Sequence, residues 1–89
     1  MFSLNLEVEA KKELLRIDEI IPKVELVKKE GKELLDICKS YHEDANGFFK
    51  QQKFLQAFEA AIICWAYIDA GIHLGVFKVP AEFSRQFTV

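Results

Sequence analysis

Apolar positions along this chain recur at helical spacing, and no segment shows the alternation of a strand. The clearest run is Val24, Val27, Gly31, Leu34, Cys38, Tyr41, Ala45 and Phe48, spaced by three and four in turn, with Lys28, Lys29, Glu33, Asp36, Lys39 and Glu43 between them. This is a heptad seam, and it predicts a single helix over about 24–50. Upstream, Leu14, Ile17 and Ile21 form a stripe with Val8 and Leu15 beside it, predicting a helix over about 6–21. Glu7/Lys11 and Glu19/Lys23 each place the acid one turn before the base, which favours helix. Pro22 lacks the amide donor and would clash with the Asp18 carbonyl, so it ends or kinks that helix.

Downstream, Phe54, Phe58, Ala61, Trp65, Ile68 and Ile72 make one stripe, and Leu55, Ile62, Ala66, Asp69 and His73 make an adjacent one. Two adjoining stripes predict a third helix over about 54–74, a central rod wrapped by its neighbours. The pattern breaks at Gln51–Lys53, where a short turn makes the second and third helices antiparallel. Gly75 as a left-handed cap, then Val76 and Pro80, mark the third helix's end. The expected fold is all-α: an antiparallel three-helix bundle over residues 1–77 and a short irregular C-terminal tail over 78–89.

Composition narrows the function classes. Eighty-nine residues suit one domain with a modest core, and 51% hydrophobic with 29% charged residues is folded rather than disordered composition. A net charge of −2 gives no basic footprint, so no nucleic-acid partner is expected. Two cysteines outside any CxxC and two histidines cannot build a structural zinc site, and no metal or other cofactor is expected. The stretch MFSLNLEVEA has no secretory pattern, so a cytoplasmic location is expected. Between Phe54 and Phe77 only Glu59 and Asp69 are charged, but each acid would cost roughly 2.5–3.5 kcal/mol near a bilayer centre. A helix of a soluble bundle, and no membrane, is therefore the expectation.

Tyr41-x-x-Asp44, the pairs Ala57-Phe58 and Ala60-Ala61, and Asp69-Ala70-Gly71-x-x-Leu74-Gly75-x-Phe77 together resemble a small archaeal family known as domain of unknown function 357. The resemblance covers about residues 30–77, and the Asp-Ala-Gly block is its most specific part. Ile63-Cys64-Trp65-Ala66-Tyr67 stands where the family has Tyr-Ala-His-Gly-Trp, and Gln52-Lys53 stands where it has Gly-Asp. The family's histidine and turn aspartate thus have no counterpart here. The resemblance implies a cytoplasmic helical bundle and supplies no activity.

Candidate binding residues are Tyr41, Asp44, Asp69, Gly71 and His73. Across the hairpin, Asp44 and Asp69 are offset by about 13 Å at 1.5 Å rise per residue, too far for shared-proton chemistry. Asp44 then bonds a hydroxyl, a backbone group or a lysine. Asp69 and His73 are one turn apart: either an oriented base or anion contact, or a helix-stabilising pair near a C-terminus. Lys32 competes for Asp69, and no Ser or Cys nucleophile falls at that level, so a triad is not supported. Gly71, Gly75 and the facing Gly31 allow either close helix approach or a ligand groove. Cys38 and Cys64 fall at one level facing inward, as buried reduced thiols. His42, Glu43 and Asp44 diverge around their helix and do not converge on a metal.

Eight phenylalanines exceed the core positions of so small a bundle, so Phe83 and Phe87, with Phe2 and Leu4, are expected to form an exposed partner surface. The expected function is a non-enzymatic protein-interaction or oligomerisation module whose partner is another protein or a second copy. The alternative is a small-ligand binder or enzyme using Tyr41, Asp44, Asp69 and His73. A third reading is an RNA-processing role, by analogy with small helical bundles that place a His five or six residues after an Arg; here no such His follows Arg16, and Arg85 comes too late.

Overall fold

The Asn5 side chain accepts a hydrogen bond from the Val8 amide (3.2 Å) and so caps the first helix, α1 (Leu6–Ile20). The structure, a computed structural model, describes residues 5–87. Pro22 acts as expected: α1 stops at Ile20 and Ile21–Lys23 tighten into a 3₁₀ turn.

The heptad seam is not helical at its start. Val24 is extended, Glu25–Leu26 form a short strand β1, Lys29–Gly31 make a second 3₁₀ turn, and α2 (Lys32–Lys50) begins only at Lys32. A partner distant in sequence captures this stretch. The Val27 amide donates to the Val76 carbonyl (2.8 Å), and Glu25 and Leu26 pair antiparallel with Lys78 and Phe77. Gly31 is packed under the same strap: a Cβ there would lie 2.7 Å from that of Val76. Three- and four-residue spacing persists through Val24, Val27 and Gly31, but the strap holds this stretch out of a helical seam, and Val27 is left 52% exposed.

Gln52, at φ 63°, turns the chain after α2, and the Lys53 amide returns to the Phe48 carbonyl (2.9 Å). The chain then runs antiparallel as α3 (Phe54–His73). Its end is a Schellman cap: Gly75 at φ 75°, its amide on the Ile72 carbonyl, and the Val76 amide on the Gly71 carbonyl, each 3.0 Å. The second strand, β2 (Phe77–Lys78), follows directly and meets β1.

α1 and α2 each pack mainly on α3 and little on each other, and the molecule measures 44 × 26 × 16 Å. The bundle is thus flattened, with Leu14, Ile17 and Ile20 of α1 and Cys38 and Ala45 of α2 meeting Ala61, Cys64 and Ile68 of α3. Small residues on both sides let α2 and α3 approach until the Cys64 thiol donates to the Cys38 carbonyl (3.3 Å). Flattening overturns the picture of a wrapped rod. Of the two α3 stripes only the first is covered; on the second, Leu55 and Ile62 are 51% and 40% exposed, and neighbouring Ile63 is 38% exposed.

The tail is also ordered differently from expectation. Pro80 precedes a single helical turn, α4 (Ala81–Ser84), which folds back so that Phe83 and Phe87 are buried in the protein's own core. Phe87 stacks on Trp65 (4.3 Å between ring centres, 6° between planes), and the Arg16 guanidinium lies 3.8 Å from the centre of the same indole. These two phenylalanines therefore form no partner surface. Phe2 and Leu4 lie outside the described residues.

Candidate functional site

Tyr41 of α2 and Tyr67 of α3 stack at 5.7 Å and form one wall of a groove of about 510 Å³ with Ile37, Ser40 and the acids Glu33, Asp36 and Asp44. The fold thus brings Tyr41 and Asp44 together and adds Tyr67, which sequence reasoning did not single out. Lys32 pairs with Asp36 (3.1 Å), not with Asp69. Ser40 spends its hydroxyl on the Asp36 carbonyl (3.1 Å). No histidine or lysine lines this groove; its polar lining is three acids, two phenols and the Ser40 hydroxyl.

Asp69 and His73 stand apart from it. Their closest approach is 3.6 Å, longer than a hydrogen bond, and the buried Asp69 Oδ1 has no donor. Gly71 is a packing glycine: the Phe77 ring occupies the space a side chain would need, with Cδ2 2.0 Å from the position of a Cβ. Tyr41, Asp44, Asp69, Gly71 and His73 therefore share no cavity.

One polar cluster escaped the sequence reading. His42 Nε2 lies 2.6 Å from Asp18 Oδ1, and the Asn46 amide donates to that same oxygen (3.3 Å) and to the His42 carbonyl (3.1 Å). It ties α1 to α2, which otherwise pack little on each other. His42 and Asn46 are one turn apart on the flank of the seam, a signal visible in sequence; Asp18 arrives from 24 residues away and is not. Its members are an acid, an imidazole and an amide, without a hydroxyl or thiol to activate.

Both thiols are inert. Burial pushes Cys38 up to about 11; burial and then the neighbouring Cys38 push Cys64 up to about 12. Among the described residues no three His, Cys, Asp or Glu side chains gather to hold a metal ion.

A further apolar surface is the outer face of α3. Leu55, Glu59, Ile62, Ala66 and His73 follow one another at three-, four- and seven-residue spacing, with Ile63 and Ala70 on the same side, opposite the Ala61–Cys64–Ile68 stripe. The acids on this side are Glu59 and the half-buried Asp69. Among the described residues α3 is also the one helix long and apolar enough to cross a membrane by length and composition, and 33% of that stretch is buried. An apolar groove of about 530 Å³ lies beside α1, where Val8 and Leu15 flank Phe49 beneath Lys11.

Fold and surface together define a small all-α domain: a flattened antiparallel trio of helices, strapped at one end by two short strands, with an apolar outer face. The profile of a family described as a protein of unknown function (DUF357) matches residues 8–77, and the chain belongs to that family. It is similar to protein AF1782 from Archaeoglobus fulgidus, another DUF357 protein, whose crystal structure superposes with a TM-score of 0.72 at 27% identity over 84% of this chain and 93% of that one. No curated protein matches the chain. The shared region takes in α1, which the motifs in the second and third helices did not reach.

Proposed function

We propose that this protein is a cytoplasmic, non-enzymatic interaction module that docks another protein surface on the outer face of α3. One observation carries the reading: Leu55, Ile62 and Ile63 are exposed on the helix side opposite the core. A solvent-facing helix side is ordinarily charged, as α2 is with Lys32, Lys39, Glu43 and Lys50. A contiguous apolar strip gains about 25 cal/mol for every Å² removed from water, which only a partner can supply. Two free, buried thiols support a reducing compartment. The ligand-binding alternative keeps only Tyr41 and Asp44, with Tyr67, because Asp69 and His73 lie outside that groove.

A photo-reactive amino acid placed at Ile63, and as a control at Lys39 of α2, tests the reading in native cell extract. Protein adducts from position 63 and none from 39 are expected. Adducts to lipid alone would make the face a membrane contact and overturn the reading, as would equal labelling from both positions.

A further inference from the structure

We infer that the surface seated on this face is a second copy of the same chain, with the two α3 helices antiparallel about a two-fold axis at Ala66. The inference rests on the α3 face being a docking surface, and goes further by naming the occupant and its register.

The face is self-complementary about that point. Glu59 lies seven residues before Ala66 and His73 seven after it, so all three fall on one stripe two heptads long. At 1.5 Å rise per residue, acid and imidazole are each about 10.5 Å from Ala66, in opposite directions. An antiparallel two-fold there puts Glu59 level with the partner subunit's His73, and by symmetry His73 level with the partner subunit's Glu59. A parallel pair would set the two glutamates against each other. Side-chain size obeys the same symmetry. About Ala66 the two-fold sets the bulky Ile62 against the partner subunit's small Ala70, and brings Ile63 level with the partner subunit's Asp69. Leu55 and the 70% exposed Leu74 then close the two ends of the contact.

Charge argues for the same occupant. His73 already has Asp69 at 3.6 Å, whose buried Oδ1 has no donor. The copy adds a second acid, Glu59, level with the imidazole, so a stripe with Glu59 seven residues before Ala66 and His73 seven after it meets itself inverted. An unrelated partner would have no need of this inversion. One pair of 20-residue helices buries less than a standard interface, so the dimer is expected to dissociate on the order of micromolar rather than to be obligate.

The test uses the purified full chain. Sedimentation equilibrium across roughly 1–300 μM should show the molar mass climbing from 10.3 kDa towards twice that value. Under mild oxidation Ala66→Cys should become a disulfide-linked dimer, because the two-fold sets the two positions face to face. Gln56→Cys, far from the axis, should stay monomeric. The buried Cys38 and Cys64 keep the background low. Glu59→Lys should weaken association about tenfold, and combining it with His73→Glu should restore it. A constant 10.3 kDa mass overturns the inference, as does a dimer that neither links through position 66 nor responds to Glu59→Lys. If the chain is a constant monomer yet position 63 labels proteins in extract, the second copy falls and the docking face stands. A monomer without such labels sinks both.

Discussion

Gly71 and Gly47 are both helical glycines with opposite consequences. The space beside Gly71 is filled by the Phe77 ring, whereas nothing lies within 4 Å of a Cβ built at Gly47. Gly71→Ala must displace an aromatic ring that also belongs to β2, an overpacking cost of about 1–3 kcal/mol. Gly47→Ala meets open space and gains the helix propensity glycine lacks, about 0.5–1 kcal/mol. Urea titration of the two variants should move the midpoint in opposite directions. The sequence limits Gly71 to close approach or a groove; only the fold decides, because Phe77 reaches it through a cap and turn. The thiols make a second test at this scale. With Cys38 at about 11 and Cys64 at about 12 against an ordinary 9.0, the native state holds its protons while the unfolded chain loses them. The stability contributed is full below pH 9.0 and is lost as pH rises through 11 to 12. The corresponding outcome is that a thiol reagent at pH 8 labels neither cysteine until denaturant is added, and that unfolding midpoints decline above pH 9.

At the scale of elements, the chain's punctuation was readable and its long-range partners were not. Pro22, the turn at Gln51–Lys53 and Gly75 each act locally, through a missing donor, a reversed backbone and a left-handed cap, so their effects show in sequence. The strap does not: β1 is extended because residues 76–78 offer it carbonyls and amides, and nothing near Val24 announces that. Asp18 likewise reaches His42 only after α1 and α2 have packed. The tail misled for a related reason. Phe83 and Phe87 are four apart, as on a helix, but their receptor is Trp65 and the surrounding core rather than a neighbouring heptad. Because this docking belongs to a terminal element, Phe87→Ala should undock the tail locally before it unfolds the bundle, at a cost of about 2–3 kcal/mol, below the full range for burying phenylalanine. Trp65 is the chain's single tryptophan, so its emission should shift to the red in this variant while far-ultraviolet helicity stays close to the parent's.

The whole molecule is organised by a mismatch between α3's composition and its surroundings. The helix is apolar on two sides, but a flattened trio of helices can cover only one, since α1 and α2 spread across its flanks instead of closing around it. The core-forming side and the proposed docking side therefore lie on opposite faces of a single helix, and substitutions separate them. Ile68 is fully buried, so Ile68→Lys forces an ammonium into the core, a cost on the order of 5 kcal/mol that approaches the whole stability of a small domain. Ile63 is solvent-exposed and stands one turn after Glu59, so Ile63→Lys removes apolar surface and also creates an acid-first i,i+4 pair worth a few tenths of a kcal/mol. Thermal unfolding should find Ile68→Lys without a cooperative transition, and Ile63→Lys at or slightly above the parent's Tm. If the outer strip were merely stray hydrophobicity, Ile63→Lys would change nothing else. As a docking face it should instead raise the concentration at which the protein self-associates or adsorbs by at least tenfold, with no loss of fold, and light scattering on the two soluble forms reads that difference directly.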